Sequence, residues 1–64
     1  MNHLKELREA RGLSQAELGE RLGIGQSTVA RYESGVYELK LSMALRVIAV
    51  LGCTMSQLTG QDIA

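Results

Sequence analysis

Apolar residues recur three and four apart along most of this chain, the spacing that lines them up on one side of a helix. Leu4, Leu7 and Ala10 form a first stripe with Lys5, Glu6 and Glu9 as its solvated complement, and predict a helix from Met1 to Arg11. Ala16, Leu18 and Leu22 form a second stripe, and Val29 with Tyr32 a third. From 41 to 51 the run Leu-Ser-Met-Ala-Leu-Arg-Val-Ile-Ala-Val-Leu holds only Ser42 and Arg46 as polar residues. It predicts a fourth helix that is apolar nearly all round.

Start and stop signals separate these stripes. Ser14 and Glu17 are spaced as a capping box, in which the hydroxyl takes the N3 amide and the carboxylate reaches back to the cap amide. Thr54 and Gln57 repeat the spacing and open a short fifth helix through Leu58. Gly12, Gly35 and Gly52 close helices. Gly23 falls where a helix end needs a left-handed residue, which glycine supplies without a Cβ clash. Gly25 and Gln26 then open the third helix. The reading is all-α. A short helix, a three-residue turn and a second helix with Gln26, Ser27, Thr28 and Arg31 on its leading end and outer face make a helix-turn-helix. Leu13 is expected to plug the join between the first two helices, and Leu39 to anchor the link 36–40. Val36 and Tyr37 fit core or surface equally.

Helix four poses a problem of area. Leu45, Ile48 and Leu51 fit the intrachain core, but 64 residues do not readily bury a whole helix circumference. Val47, Ala49 and Val50, with Met43 as a further candidate and Met55 from helix five, are expected to face a second subunit. The plainer reading is that the small Ala and Val groups are scattered exposed residues.

Composition narrows the function. Sixty-four residues make one domain, 1–64, and a chain of this size buries only about 60% of its unfolded surface. The single cysteine excludes an intrachain disulfide and reads as a small buried hydrophobe. His3 and Cys53 have no clustered partners for a metal. No leader or run of membrane-spanning length is seen, so the expectation is a cytoplasmic protein. Gly23-Ile24-Gly25 joins two helices rather than a strand to a helix, so it is no phosphate loop. The carboxylates sit on helix surfaces without a shared pocket. Nothing points to an enzyme, a cofactor or a small-molecule ligand. Seven Lys and Arg balance seven Asp and Glu, whereas a DNA-binding domain ordinarily carries a basic footprint. Backbone amides at helix starts also hold phosphates. The neutral total therefore predicts modest affinity per subunit, which favours a dimer or a partner.

Four segments carry a family likeness: Gln15-Ala16-Glu17-Leu18, Leu22-Gly23-Ile24, Gln26-Ser27-Thr28-Val29 and Arg31-Tyr32-Glu33-Ser34-Gly35. Together they resemble the phage repressor and Cro-like helix-turn-helix family, also called the xenobiotic-response-element type. The segment Leu51–Leu58 resembles its closing helices, so the likeness spans nearly the whole chain. It implies a compact, five-helix, lambda-repressor-like DNA-binding domain. It further implies that Gln26, Ser27, Thr28 and Arg31 meet base edges in the major groove, and that Gln15, Gly25 and Ser34 lie along the DNA backbone. Gln26 suits adenine, Arg31 suits guanine O6 and N7 or a phosphate, and the Thr28 methyl suits thymine. Ser27 and Thr28 also fit capping or phosphate contact alone. The likeness pairs Arg8 with Glu33 as a bridge between the first and third helices, although Arg8 alone reads equally as a solvated charge. Gly25 departs from the common Thr or Ser cap, and Gly19 from the frequent Ala. The implied function is a sequence-specific regulator, a repressor acting as a homodimer on a two-fold site in double-stranded DNA. The neutral charge and apolar helix four also fit an antitoxin- or antirepressor-like interaction module.

Overall fold

Five α-helices follow one another along residues 2–60, the part of the chain that the computed structural model describes. They are α1 (Leu4–Ala10), α2 (Gln15–Leu22), α3 (Gln26–Ser34), α4 (Leu41–Leu51) and α5 (Met55–Thr59), and no strand occurs among the described residues. Met1 and the tail 61–64, expected as a helix start and a frayed end, lie outside the described residues. Helix one starts at Leu4 because the residues before it are held elsewhere. Asn2 Oδ1 accepts the Leu4 N–H at 3.0 Å and Asn2 Nδ2 donates to the Tyr32 carbonyl at 3.1 Å. The His3 N–H donates to the Leu58 carbonyl at 2.8 Å. The link 36–40 is non-helical.

Both capping boxes form. Ser14 Oγ accepts the Glu17 N–H at 3.0 Å and Glu17 Oε1 accepts the Ser14 N–H at 2.9 Å. Thr54 and Gln57 do the same at 3.1 and 2.9 Å. Each box satisfies two backbone donors that a helix start otherwise leaves unpaired.

The core draws on all five helices. Leu4, Leu18, Leu22, Val29, Ala44, Val47, Leu51 and Leu58 are buried, with Leu13, Ile24, Tyr32, Leu39, Ile48 and Cys53 among the half-buried residues packed around them. Full burial of a Leu or Val side chain contributes about 1.5–3 kcal/mol. On α4 the inward face is Ala44, Val47 and Leu51, at i, i+3 and i+7. This corrects two expectations. Val47 is fully buried and has no surface to offer a second subunit, whereas Leu45 is half exposed instead of core. A helix apolar all round does not reveal its inward side; docking against α2 and α5 selects it. Ala10 and Ala16 are exposed, because their stripes turn away from the core at those positions. Val36 and Tyr37 both lie at the surface.

Two backbone features set the approach of α2 to α3. Gly23 takes φ 73°, turning the chain after α2. Gly19 is buried where the helices meet, and a Cβ there would stand 2.7 Å from the Ile24 carbonyl oxygen. The Ile24 N–H also donates to the Gly19 carbonyl at 2.9 Å. Glycine is therefore used for close contact, despite costing helix stability of about 1 kcal/mol relative to Ala.

Arg8 is buried, not solvated. Its Nε donates to Glu33 Oε2 at 2.6 Å, Nη2 to Glu33 Oε1 at 3.3 Å, and Nη1 to the Leu13 carbonyl at 2.8 Å. Gln15 Nε2 adds a bond to Glu33 Oε1 at 3.0 Å. Burial pushes the Glu33 carboxyl up, but the Arg8 and Gln15 hydrogen bonds and the Arg8 charge outweigh it and hold the group below the ordinary carboxylate range. The Arg8 guanidinium is correspondingly raised, first by its hydrogen bond to Glu33.

Three outcomes follow for stability. Arg8→Ala leaves the Glu33 carboxylate buried without its cation, a loss of about 3–5 kcal/mol. Chains of this size hold only about 3–10 kcal/mol in total, so the variant is expected to be largely unfolded at 37 °C by circular dichroism. Because the folded Glu33 binds its proton less readily than the unfolded group, its contribution is present above about pH 4.3 and is lost as pH falls through the lower folded value. Glu33→Gln should accordingly be less stable than wild type at pH 7, with the gap narrowing towards pH 3 in urea melts. Gly19→Val drives branched carbon atoms into the Ile24 backbone and should cost about 1–3 kcal/mol by the same melts.

Candidate nucleic-acid interface

The outer side of α3 is polar because its inner side is committed to the core through Val29, buried, and Tyr32, half-buried. Gln26 and Ser27 stand exposed on the first turn. Thr28 is half-buried, and Arg31 follows one turn on, fully at the surface. The four expected base readers thus share the start and outer face of one helix. Gly25 is its N-cap, at φ −75° and ψ 158°, and no side chain caps the helix. The Thr28 N–H donates to the Gly25 carbonyl at 3.1 Å, which leaves the Gln26 and Ser27 amides to the outside, at the end of the helix whose partial charge favours anions. Neither Ser27 nor Thr28 supplies a cap.

The expected backbone contacts fall differently. Gln15 opens α2, but its Nε2 is directed inward to Glu33. Its backbone N–H, on the first turn of α2, is the group placed to donate to a phosphate. Ser34 Oγ donates to the Arg31 carbonyl at 3.2 Å, so its proton is held within α3. Glu33 lies within the Arg8 and Gln15 clamp, with both carboxylate oxygens engaged.

The cations divide into two groups. Arg8 is held by Glu33. Arg11 Nε donates to the Leu51 carbonyl at 2.6 Å and Nη2 to the Gly52 carbonyl at 3.4 Å, closing the end of α4. Arg46 Nη2 donates to the Leu22 carbonyl and closes the end of α2, beside the turn. Of seven Lys and Arg, these three serve the fold, which leaves Lys5, Arg21, Arg31 and Lys40. Sequence reasoning missed the Arg11 and Arg46 roles, because their partners lie about 40 and 24 residues away. It also left Tyr37 unassigned. The Arg31 guanidinium carbon lies 5.6 Å from the centre of the Tyr37 ring. No group of His, Cys, Asp and Glu able to hold a metal occurs among the described residues, nor does a helix long and apolar enough to cross a membrane.

This arrangement coincides with a family defined by sequence. A helix-turn-helix family model matches residues 4–58. The Bacillus subtilis protein YgzD, named as an HTH-type transcriptional regulator, is 41% identical over 54 residues, which cover 84% of this chain and 82% of YgzD. An HTH-type transcriptional regulator of Methanothermobacter thermautotrophicus is 39% identical over 49 residues, 77% of this chain and 71% of that protein. An HTH-type transcriptional regulatory protein of Methanospirillum hungatei is 48% identical over 44 residues, 69% of this chain but only 14% of that longer protein. The match runs from the first residue of α1 to the last core leucine of α5, and the chain belongs to the Cro/C1-type helix-turn-helix family of DNA-binding transcriptional regulators.

Proposed function

We propose that the protein is a sequence-specific repressor that binds a two-fold operator in double-stranded DNA as a homodimer, in the cytoplasm. The observation that carries this reading is the exposed, uncapped first turn of α3, with Gln26, Ser27 and Thr28 on it and Arg31 one turn behind. In this docking the second helix of the motif enters the major groove and its leading residues meet base edges. Gly25 lets the backbone come close to a phosphate. Gln15 and Ser34 flank the same face, each with one polar group already engaged.

Two features support a dimer. Three cations are committed internally, so a single subunit brings few charges to the phosphates, and two subunits double that number. Leu41 and Leu45 are 68% and 50% exposed, and with Ala49 they form a stripe at i, i+4 and i+8 on the outer side of α4. Ala49, expected at the interface, is exposed on this stripe. Val50 and Met55 are half-buried, Val50 on the flank of α4 away from that stripe, and Val47 has no part in it. A dimer seated on a two-fold operator represses by excluding polymerase. The neutral charge keeps a second reading open, an antitoxin- or antirepressor-like module that uses the α4 stripe for a different protein.

Selection from a random duplex pool at moderate salt separates the two. An inverted repeat is expected; no enrichment by the folded protein moves the assignment to the interaction module. Arg31→Ala should cost about 1–3 kcal/mol and relax preference at one base position. Uniform weakening on all sequences with a shallower salt slope would make Arg31 a phosphate contact instead. Leu45→Glu should leave the melting temperature near wild type yet convert dimer to monomer in sedimentation. An unchanged dimer would put the interface elsewhere.

A further inference from the structure

We infer that Tyr37, in the link after α3, is a positioning residue that holds the Arg31 side chain in the conformation it uses to read DNA. The inference rests on the proposed role of Arg31 as a DNA contact and names what prepares it. The chain reverses at Gly35, and the Tyr37 N–H returns to donate to the Arg31 carbonyl at 3.2 Å. That bond ties the backbone of residue 37 to the turn of α3 that carries Arg31. The Tyr37 ring also packs against Tyr32 in a T-shaped pair, with centroids 5.9 Å apart and planes at 73°. The Arg31 guanidinium carbon lies over the same ring, 5.6 Å from its centre.

The chemistry of this contact is compatible with reading a base. A cation over an aromatic face is held by the ring quadrupole and consumes no N–H donor. Among the described residues the Arg31 guanidinium makes no hydrogen bond, so its five donors stay free for a guanine edge. An exposed arginine otherwise samples many rotamers, and ordering it on binding lowers affinity; ordering it beforehand removes that cost. Tyr37 is itself 45% exposed and outside the buried core. Its replacement is therefore separable from folding.

The test compares wild type with Tyr37→Phe, Tyr37→Leu, Arg31→Ala and the Arg31→Ala, Tyr37→Leu double variant. Each is melted, then put through selection and titration on the selected duplex and on a duplex changed at the base pair that Arg31→Ala renders indifferent. Tyr37→Phe keeps the ring and should match wild type. Tyr37→Leu keeps the bulk but loses the quadrupole, and should lower discrimination at that base pair about two- to fivefold with other positions unchanged. In the Arg31→Ala background the Leu substitution should add nothing. Without DNA, the Arg31 δ-methylene protons should lose a ring-current shift in Tyr37→Leu and keep it in Tyr37→Phe.

Contrary results are distinct. If Tyr37→Leu retains wild-type discrimination while Arg31→Ala loses it, the positioning role is overturned and the DNA reading stands. If Tyr37→Phe weakens binding as much as Tyr37→Leu, or Leu weakens the Arg31→Ala protein further, Tyr37 touches DNA directly and the inference fails. A wild-type protein that enriches no sequence overturns the DNA reading and this inference with it.

Discussion

The buried Arg8–Glu33 pair is the interaction on which the placement of α3 depends. Both side chains are more than nine-tenths buried, and the carboxylate takes bonds from α1 through Arg8 and from α2 through Gln15. Three helices therefore meet at one carboxylate. An apolar contact could supply as much stability, but it would tolerate sliding. Two directed bonds from a planar guanidinium and a third from an amide fix both distance and angle. The pair sits near the end of α3, and Val29 holds its middle, so the first turn projects outward on a rigid base.

A second constraint is that a small domain closes its helix ends with whatever cations it has. Arg11 and Arg46 satisfy backbone carbonyls at the ends of α4 and α2. In a larger domain such ends are often covered by further chain; here long side chains reach across instead. The consequence reaches function. Each arginine committed to a carbonyl is lost as a phosphate contact, so the neutral total overstates the charge available to a nucleic acid. Amides at the start of α3 and the few free cations would then carry the interaction, with a second subunit making up the difference in the proposed mode of action.

Much of this was legible in the sequence. Helix starts were marked by Ser14 with Glu17 and Thr54 with Gln57, because capping is chemistry between residues three apart. Helix ends were marked by glycines for the same local reason. The Leu18 and Leu22 side of α2 and the polar start of α3 followed from period, since one side of a short helix must be buried, although Ala16, counted with that stripe, is exposed. The Arg8–Glu33 pair came from family likeness and not from spacing, because 25 residues separate the partners.

What only the tertiary structure decided lies where local pattern is silent. The run 41–51 is apolar on every side, so nothing in its period chooses Val47 over Leu45 for the core; the position of α2 and α5 makes that choice. Arg46 and Arg31 look alike in sequence, yet one closes a helix end and the other stands free beside Tyr37. Tyr37 itself fitted core or surface until the chain reversal at Gly35 brought it back against α3. Sequence determines which helices form and which of their ends are capped, because those are interactions within a turn or two. Which face meets which, and which charges remain for a partner, depends on groups distant along the chain that only packing brings together.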